Sequence, residues 1–301
     1  MVATGDGDPF TPYRRDSRQV EVVARQDLHI DGGDAELYGE LYVPASGAGI
    51  DPPYPGVLVC HGLTSNCSEV RQAASTLARH GLVAMIFDFR GHGRSGGVCD
   101  RSQHLDVLYA LRHLRQLPEL DCNRVGLVGH SSGARAALLA ASQSQDVAAV
   151  VSLSLAPDDM AREMAGADDA LGGDKRSVFW WGSVGLRLLF SGMRAGPRRL
   201  LQVAVLLMRL PHLRINWTKT ATAWAEWGLA QALSAMRPRP VLFVHCQGDW
   251  ATPPAASIDA YRACPAPKEL WLEPGGFHST PLQSAALRER WSDWLSQRLS
   301  R

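Results

Sequence analysis

The chain has 301 residues, enough for one large α/β domain with room for a sizeable insertion. Hydrophobic residues make up 46% and charged residues 20%, the balance of a folded globular protein rather than a disordered one. Lys+Arg is 31 against 30 Asp+Glu, a net charge of +1, which argues against a nucleic-acid-binding surface or a polybasic membrane arm.

Residues 1–17 are polar and broken by Gly and Pro, and read as a flexible tail. They contain no apolar h-region, so no signal peptide is expected. Alternating apolar and polar residues over 19–30 and 35–43 predict two antiparallel strands around the turn Asp31-Gly32-Gly33-Asp34. The pattern then changes to short continuous apolar runs, as in buried parallel strands, at 56–60, 82–87, 124–128 and 147–155. Helical patterns separate them at 67–80, 102–116 and 134–142, with Gly81 placed to end the first. This alternation predicts a doubly wound, mostly parallel sheet over residues 18–156.

The alternation stops between Pro157 and Arg237. That stretch is helical in pattern, broken by glycines, and holds five of the nine tryptophans: Trp180, Trp181, Trp217, Trp224 and Trp227. We read 157–237 as a cap over the strand C-termini, where ligands bind in open α/β sheets. The tryptophans either line an apolar pocket or form only the cap's own core. The cap arginines Arg187, Arg194, Arg198, Arg199, Arg209 and Arg214 are either solvated or meet an anionic substrate; sequence leaves both pairs of readings open. Sheet and helix patterns return over 238–301, with strands at 240–246 and 269–272 and helices at 255–263 and 282–298.

The longest apolar stretch, Leu200 to Leu210, is interrupted by Gln202 and Arg209 and falls far short of the ~20 residues of a spanning helix, so no integral membrane segment is expected. The six cysteines form neither a CxxC pair nor a zinc-spaced Cys/His cluster. All are read as reduced, which suits a cytoplasmic location, and no metal is expected.

The pattern G-x-S-x-G occurs twice, around Ser95 and around Ser131. A nucleophilic serine needs a sharp strand-to-helix turn, which lifts Oγ clear of the backbone and aims the following amides at a developing oxyanion. Ser131 has the strand pattern Arg124–Val128 before it and the helix former ARAALLAAS after it, whereas no helical run follows Ser95. The plain alternative for Ser131 is a helix N-cap.

These motifs resemble those of the α/β-hydrolase superfamily, over nearly the whole chain outside the tail and the insertion. His61-Gly62-Leu63 resembles the family's HG-x motif, and the loop from Asp88 to Gly96 resembles its D-x-R-G-x-G-x-S-x-G loop, which is structural and accounts for Ser95. The resemblance implies the order nucleophile, acid, histidine. Gln247-Gly248-Asp249, with Pro253 beyond, is similar to the family's acid loop, and Asp158 or Asp159 is the alternative. His278, in Glu273-Pro-Gly-Gly-Phe-His278, matches the C-terminal histidine loop. The implied mechanism has His278 take the Ser131 proton, Asp249 orient the imidazole, and the backbone N–H groups of Leu63 and Ser132 form the oxyanion hole. It needs neither cofactor nor metal. The HGLTSNCSE stretch is similar to that of cinnamoyl-type esterases, although this insertion is longer and richer in tryptophan.

The expected activity is hydrolysis of a carboxylic ester of a medium-sized apolar substrate through an acyl-enzyme. Its partner is then a small-molecule acyl substrate rather than a nucleic acid. The alternatives are an amide, thioester or C–C bond hydrolase with the same triad, or a non-catalytic ligand-binding module of the same fold.

Overall fold

The computed structural model describes residues 22–44, 52–99, 103–157, 228–265 and 267–300. Their strands are β1 (Val22–Asp31), β2 (Glu36–Pro44), β3 (Tyr54–Cys60), β4 (Val83–Phe87), β5 (Leu120–His130), β6 (Ala149–Leu153), β7 (Val241–Cys246) and β8 (Lys268–Glu273). The helices are α1 (Cys67–Arg79), α2 (Gln103–Leu114), α3 (Ser132–Gln143), α4 (Leu229–Ser234), α5 (Pro254–Ala263), α6 (Thr280–Gln283) and α7 (Ala285–Leu299). The cap reading of 157–237, its tryptophans and arginines, and Asp158 and Asp159 lie almost entirely outside the described residues.

One eight-stranded sheet runs in the order β1-β2-β4-β3-β5-β6-β7-β8. β1 pairs with β2, and β2 with β4, antiparallel; from β4 through β3 to β8 all pairs are parallel. This is the doubly wound, mostly parallel sheet that the apolar runs predict. Every residue of β3, β4, β6 and β7 is buried, which is why these strands read as continuous rather than alternating.

Side chains still alternate between faces. Leu58 and Cys60 enter one core, with Val107, Leu111, Leu138 and Leu233 from α2, α3 and α4. Val57 and Val59 enter the other, with Val70, Leu77, Trp291 and Leu295 from α1 and α7. Each large apolar side chain taken fully out of water contributes ~1.5–3 kcal/mol.

Most boundaries fall within two residues of the expectation, and two differ by more. The last helix is two: α6 ends before Ser284, whose extended backbone (φ −66°, ψ 120°) breaks the helix and whose side chain caps α7 by accepting from the Leu287 N–H. β5 begins at Leu120, four residues before its apolar run, because Tyr54 pairs with Leu120 at the sheet end. The glycine stop of α1 is as expected: Gly81 has φ +81°, and the Leu82 N–H reaches back to Leu77 O at 3.2 Å.

The chain winds outward in opposite directions from the adjacent strands β3 and β5. A crevice opens at the C-terminal ends of strands at such a reversal. Leu63, Ser131, Asp249 and His278 all follow strand C-termini, those of β3, β5, β7 and β8.

Candidate active site

Ser131 sits between β5 and α3 with φ +57° and ψ −121°, a conformation that a residue with a Cβ rarely adopts. It holds the N-cap position of α3 but makes no capping hydrogen bond with its side chain, so the plain N-cap reading does not account for it. The strained backbone is held on both sides: the Ser131 N–H donates to Leu153 O at 2.9 Å, and Ser131 O accepts from Ala134 N at 3.1 Å.

The turn is closed by backbone packing that only glycine permits. A Cβ on Gly129 would lie 2.3 Å from Gly133 O, and one on Gly133 would lie 2.4 Å from His61 O. The second glycine thus lets the nucleophile turn pack against the loop after β3.

That loop carries Leu63. Its carbonyl is contacted by His92 Nε2 at 2.6 Å, and the preceding Gly62 N–H donates to Glu69 Oε2 at 2.9 Å. His61 Nδ1 donates to Gly62 O at 2.7 Å while its Nε2 accepts from the Phe89 N–H at 3.1 Å, which fixes the ring as the Nδ1–H tautomer. Burial holds the His61 pKa below its ordinary value, as this neutral role requires. Ser132 is the first residue of α3, so its N–H has no acceptor within the helix.

Asp249 and His278, 29 positions apart in sequence, meet with His278 Nδ1 2.8 Å from Asp249 Oδ2. The Asp249 side chain is fully buried and saturated with donors. Its Oδ1 accepts from Ala251 N at 2.8 Å and Thr252 N at 3.0 Å, and Thr252 Oγ1 lies 3.0 Å from Oδ2. Burial pushes this carboxyl's pKa up, but hydrogen bonds from His245 and His278 outweigh it, and the net effect is strongly downward. The His278 pKa is lowered, chiefly by burial and against the pull of Asp249. A neutral imidazole donating from Nδ1 to an ionised carboxylate keeps Nε2 as its basic atom.

His278 is also tethered by its backbone. Its carbonyl accepts from Ser154 Oγ at 2.7 Å and from His130 Nε2 at 3.1 Å. The His130 and His278 ring centroids are 4.8 Å apart, which brings His278 beside the turn that presents Ser131. Ser154 itself has φ +48°, a second strained residue, following β6 as Ser131 follows β5.

Ser95 is buried, donates to Asp88 O at 2.5 Å and accepts from the Tyr38 N–H at 2.9 Å. Asp88 in turn accepts from Cys67 N at 2.6 Å and Arg94 N at 2.7 Å. These bonds tie the loop after β4 to β2 and α1. A Cβ on Gly93 would overlap Asp88 Oδ2 at 2.1 Å, which is the reason for that motif glycine.

Sequence reasoning missed four residues of this cluster: Glu69, His130, His245 and Thr252. His245 lies inside a strand and His130 beside the nucleophile, and neither place marks a histidine as functional. The one available signal for Thr252 was its place just before Pro253 in the acid loop. Among the described residues, no group of three or more His, Cys, Asp or Glu is arranged to hold a metal ion, and no helix is long and apolar enough to cross a membrane.

Residues 51–283 match the family described as serine aminopeptidase, S33. The chain belongs to this family of α/β hydrolases. An uncharacterised protein of Pseudomonas aeruginosa is 26% identical over 271 residues, 80% of this chain and 71% of that one. Its crystal structure superimposes with a TM-score of 0.70 at 20% identity, covering 94% of this chain and 95% of that one. A thiohydrolase, aneE, of Aspergillus aculeatus is 24% identical over 284 residues, 86% of this chain and 87% of that one. The esterase Est1E of Butyrivibrio proteoclasticus, solved with ferulic acid bound, superimposes with a TM-score of 0.66 at 17% identity, over 91% of this chain and all of that one. This S33 member is therefore a hydrolase by family and an α/β hydrolase by fold, with esterases among its structural neighbours.

Proposed function

We propose that this protein is a serine hydrolase that cleaves a carboxylic ester of a medium-sized apolar substrate through an acyl-enzyme, with Ser131 as nucleophile, His278 as general base and Asp249 as the acid that orients it. The observation that carries the reading is the 2.8 Å contact between His278 Nδ1 and buried Asp249, in a loop tethered to the strained turn at Ser131. As Ser131 Oγ attacks the carbonyl carbon, its proton passes to His278 Nε2. Asp249 holds the tautomer that accepts it and stabilises the imidazolium. The N–H groups of Leu63 and Ser132 receive the oxyanion, where each such donor is worth about 3 kcal/mol of transition-state stabilisation. The imidazolium then returns its proton to the leaving alcohol, and water, activated by the same base, releases the acid.

The esterase neighbours support the ester reading. The likeness to a thiohydrolase over 86% of this chain favours a thioester as the second. Residues 157–237 are read as the cap, with Trp180, Trp181, Trp217, Trp224 and Trp227 as walls of the acyl pocket. Six free thiols suit a cytoplasmic location. A fluorophosphonate probe tests the nucleophile: the wild type is expected to label and Ser131→Ala not to. A panel of matched acyl esters, thioesters and anilides then ranks the bond type by kcat/KM. A protein inert to the probe would instead be a ligand-binding member of the fold.

A further inference from the structure

Glu69, on α1, touches two of the four segments that build the site, those after β3 and at the end of β5, and its partner His130 touches a third, after β8. Its Oε2 accepts the Gly62 N–H at 2.9 Å, in the loop that presents Leu63. Its Oε1 lies 3.5 Å from Nδ1 of His130, the residue before Ser131. The other nitrogen of that ring, Nε2, contacts His278 O at 3.1 Å, and the two rings stand 4.8 Å apart between centroids. We propose that Glu69 and His130 form a second carboxylate–imidazole pair, in which a doubly protonated His130 positions the catalytic loops and sets the pH at which His278 acts as a base. The proposal rests on the triad reading above.

The argument begins with donors and acceptors. His130 is 2% exposed, and both of its nitrogens face oxygens that can only accept: a carboxylate at Nδ1 and a peptide carbonyl at Nε2. Nε2 therefore carries a hydrogen toward the carbonyl, while Nδ1 makes no hydrogen bond and lies 3.5 Å from the Glu69 carboxylate, where a proton on it completes an ion pair. A buried imidazolium needs a counter-charge, and Glu69 supplies it from α1, with its side chain 14% exposed. The other titratable groups facing His130 are Asp249 after β7, His278 after β8 and His61 after β3. Burial, with His130 beside them, holds both of these other histidines toward the neutral form against the pull of the nearby carboxylates, so Glu69 and Asp249 are the anions beside one cation. Burial opposes charge on the His130 ring, but the Glu69 carboxylate outweighs it and raises the pKa. In return, and against its own burial, Glu69 is held down to about 2.

A cationic ring at this distance, tilted 45° to its neighbour, disfavours a second positive charge on His278 and so keeps the general base deprotonated at lower pH. Glu69 makes the pair neutral overall. The imidazolium that forms during turnover therefore faces an ion pair rather than an unscreened cation.

The test is the pH dependence of fluorophosphonate labelling at Ser131, which needs no knowledge of the substrate. In His130→Gln the side-chain amide still reaches His278 O, but the cation is gone and Glu69 is left as an uncompensated anion. Both changes raise the His278 pKa, so the acid-limb midpoint is expected to rise by about one pH unit. Glu69→Gln removes the anion and, with it, the His130 charge. The two effects oppose, and the midpoint is expected to move by less than a third as much.

Unchanged midpoints in both variants, even with a lower plateau rate, would mean a merely structural pair and overturn the proposal. Absence of Ser131-dependent labelling in the wild type would overturn the triad reading and this one together. Should His130→Gln fail to fold, ¹⁵N-histidine spectra of the wild type decide the point: two protonated nitrogens on His130 at pH 7 are expected, and a neutral ring overturns it.

Discussion

His245 Nε2 lies 3.2 Å from Asp249 Oδ2, the same carboxylate oxygen that His278 Nδ1 contacts at 2.8 Å. The acid therefore stands between two imidazoles, one from β7 and one from the loop after β8. His245 Nε2 also faces Thr252 O at 3.0 Å, and its Nδ1 pairs with Ser257 Oγ at 2.7 Å. Because Nε2 faces two acceptors it carries a hydrogen, which bonds Thr252 O and turns the polar edge of the ring toward the Asp249 carboxylate. Replacing His245 with Phe is expected to lift the acid-limb midpoint of kcat/KM and lower kcat about tenfold, while Ser257→Ala has a smaller effect of the same sign. A pH–rate profile for each variant checks this; identical profiles would mean that His245 only packs.

Ser131→Ala is expected to abolish turnover with an unchanged thermal melt, since it removes one hydroxyl that makes no cap bond. Ser95→Ala removes two buried hydrogen bonds and should cost about 1–3 kcal/mol of stability while keeping most activity. Activity and melting measured on both variants separate the roles. The reverse pattern would exchange the two serines.

Asp249→Asn should leave His278 near its place but favour the wrong tautomer, a change that costs about 10⁴ in kcat in related triads. If Asp249→Asn stays near wild type while Asp158→Asn or Asp159→Asn is inactive, the acid lies after β6 instead.

Gly133→Ala forces a Cβ to 2.4 Å from His61 O and 2.6 Å from Cys60 O, both backbone atoms that cannot rotate away. It should destabilise the protein by about 4 kcal/mol or more. Gly62→Ala, whose Cβ would meet nothing nearer than 3.5 Å, should fold. Chemical denaturation of the two proteins is the check, and equal stabilities would contradict the packing at the turn.

Acid stability follows from Glu69. Its folded pKa, about 2, lies below the ordinary 4.5, so its contribution is fully present above 4.5 and is lost as pH falls toward 2. Melting temperature should therefore drop across that window, and Glu69→Gln should flatten the drop. An equal slope in wild type and variant would mean the pair adds nothing to stability.

Sequence alone determined the order of strands and helices, because the buried parallel strands β3, β4, β6 and β7 need continuous apolar runs and the helices between them need one apolar face. It also marked Ser131, since a strand pattern before it and a helical run after it set it apart from the same G-x-S-x-G pattern around Ser95, and the family resemblance pointed to Asp249 and His278 in the loops after the last two strands. It did not reveal the partners of those residues. His130 and His278 are 148 positions apart, and Glu69 is an acidic residue in the first turn of α1, a place where a carboxylate is ordinary. A histidine in a strand and a glutamate in a first helical turn have the same local pattern whether they pack, cap or tune a base. Only closure of the sheet brought His130, His245 and Glu69 against the candidate triad, because hydrogen bonds and charges in a low-dielectric interior act over a few ångströms of space, whatever the separation along the chain.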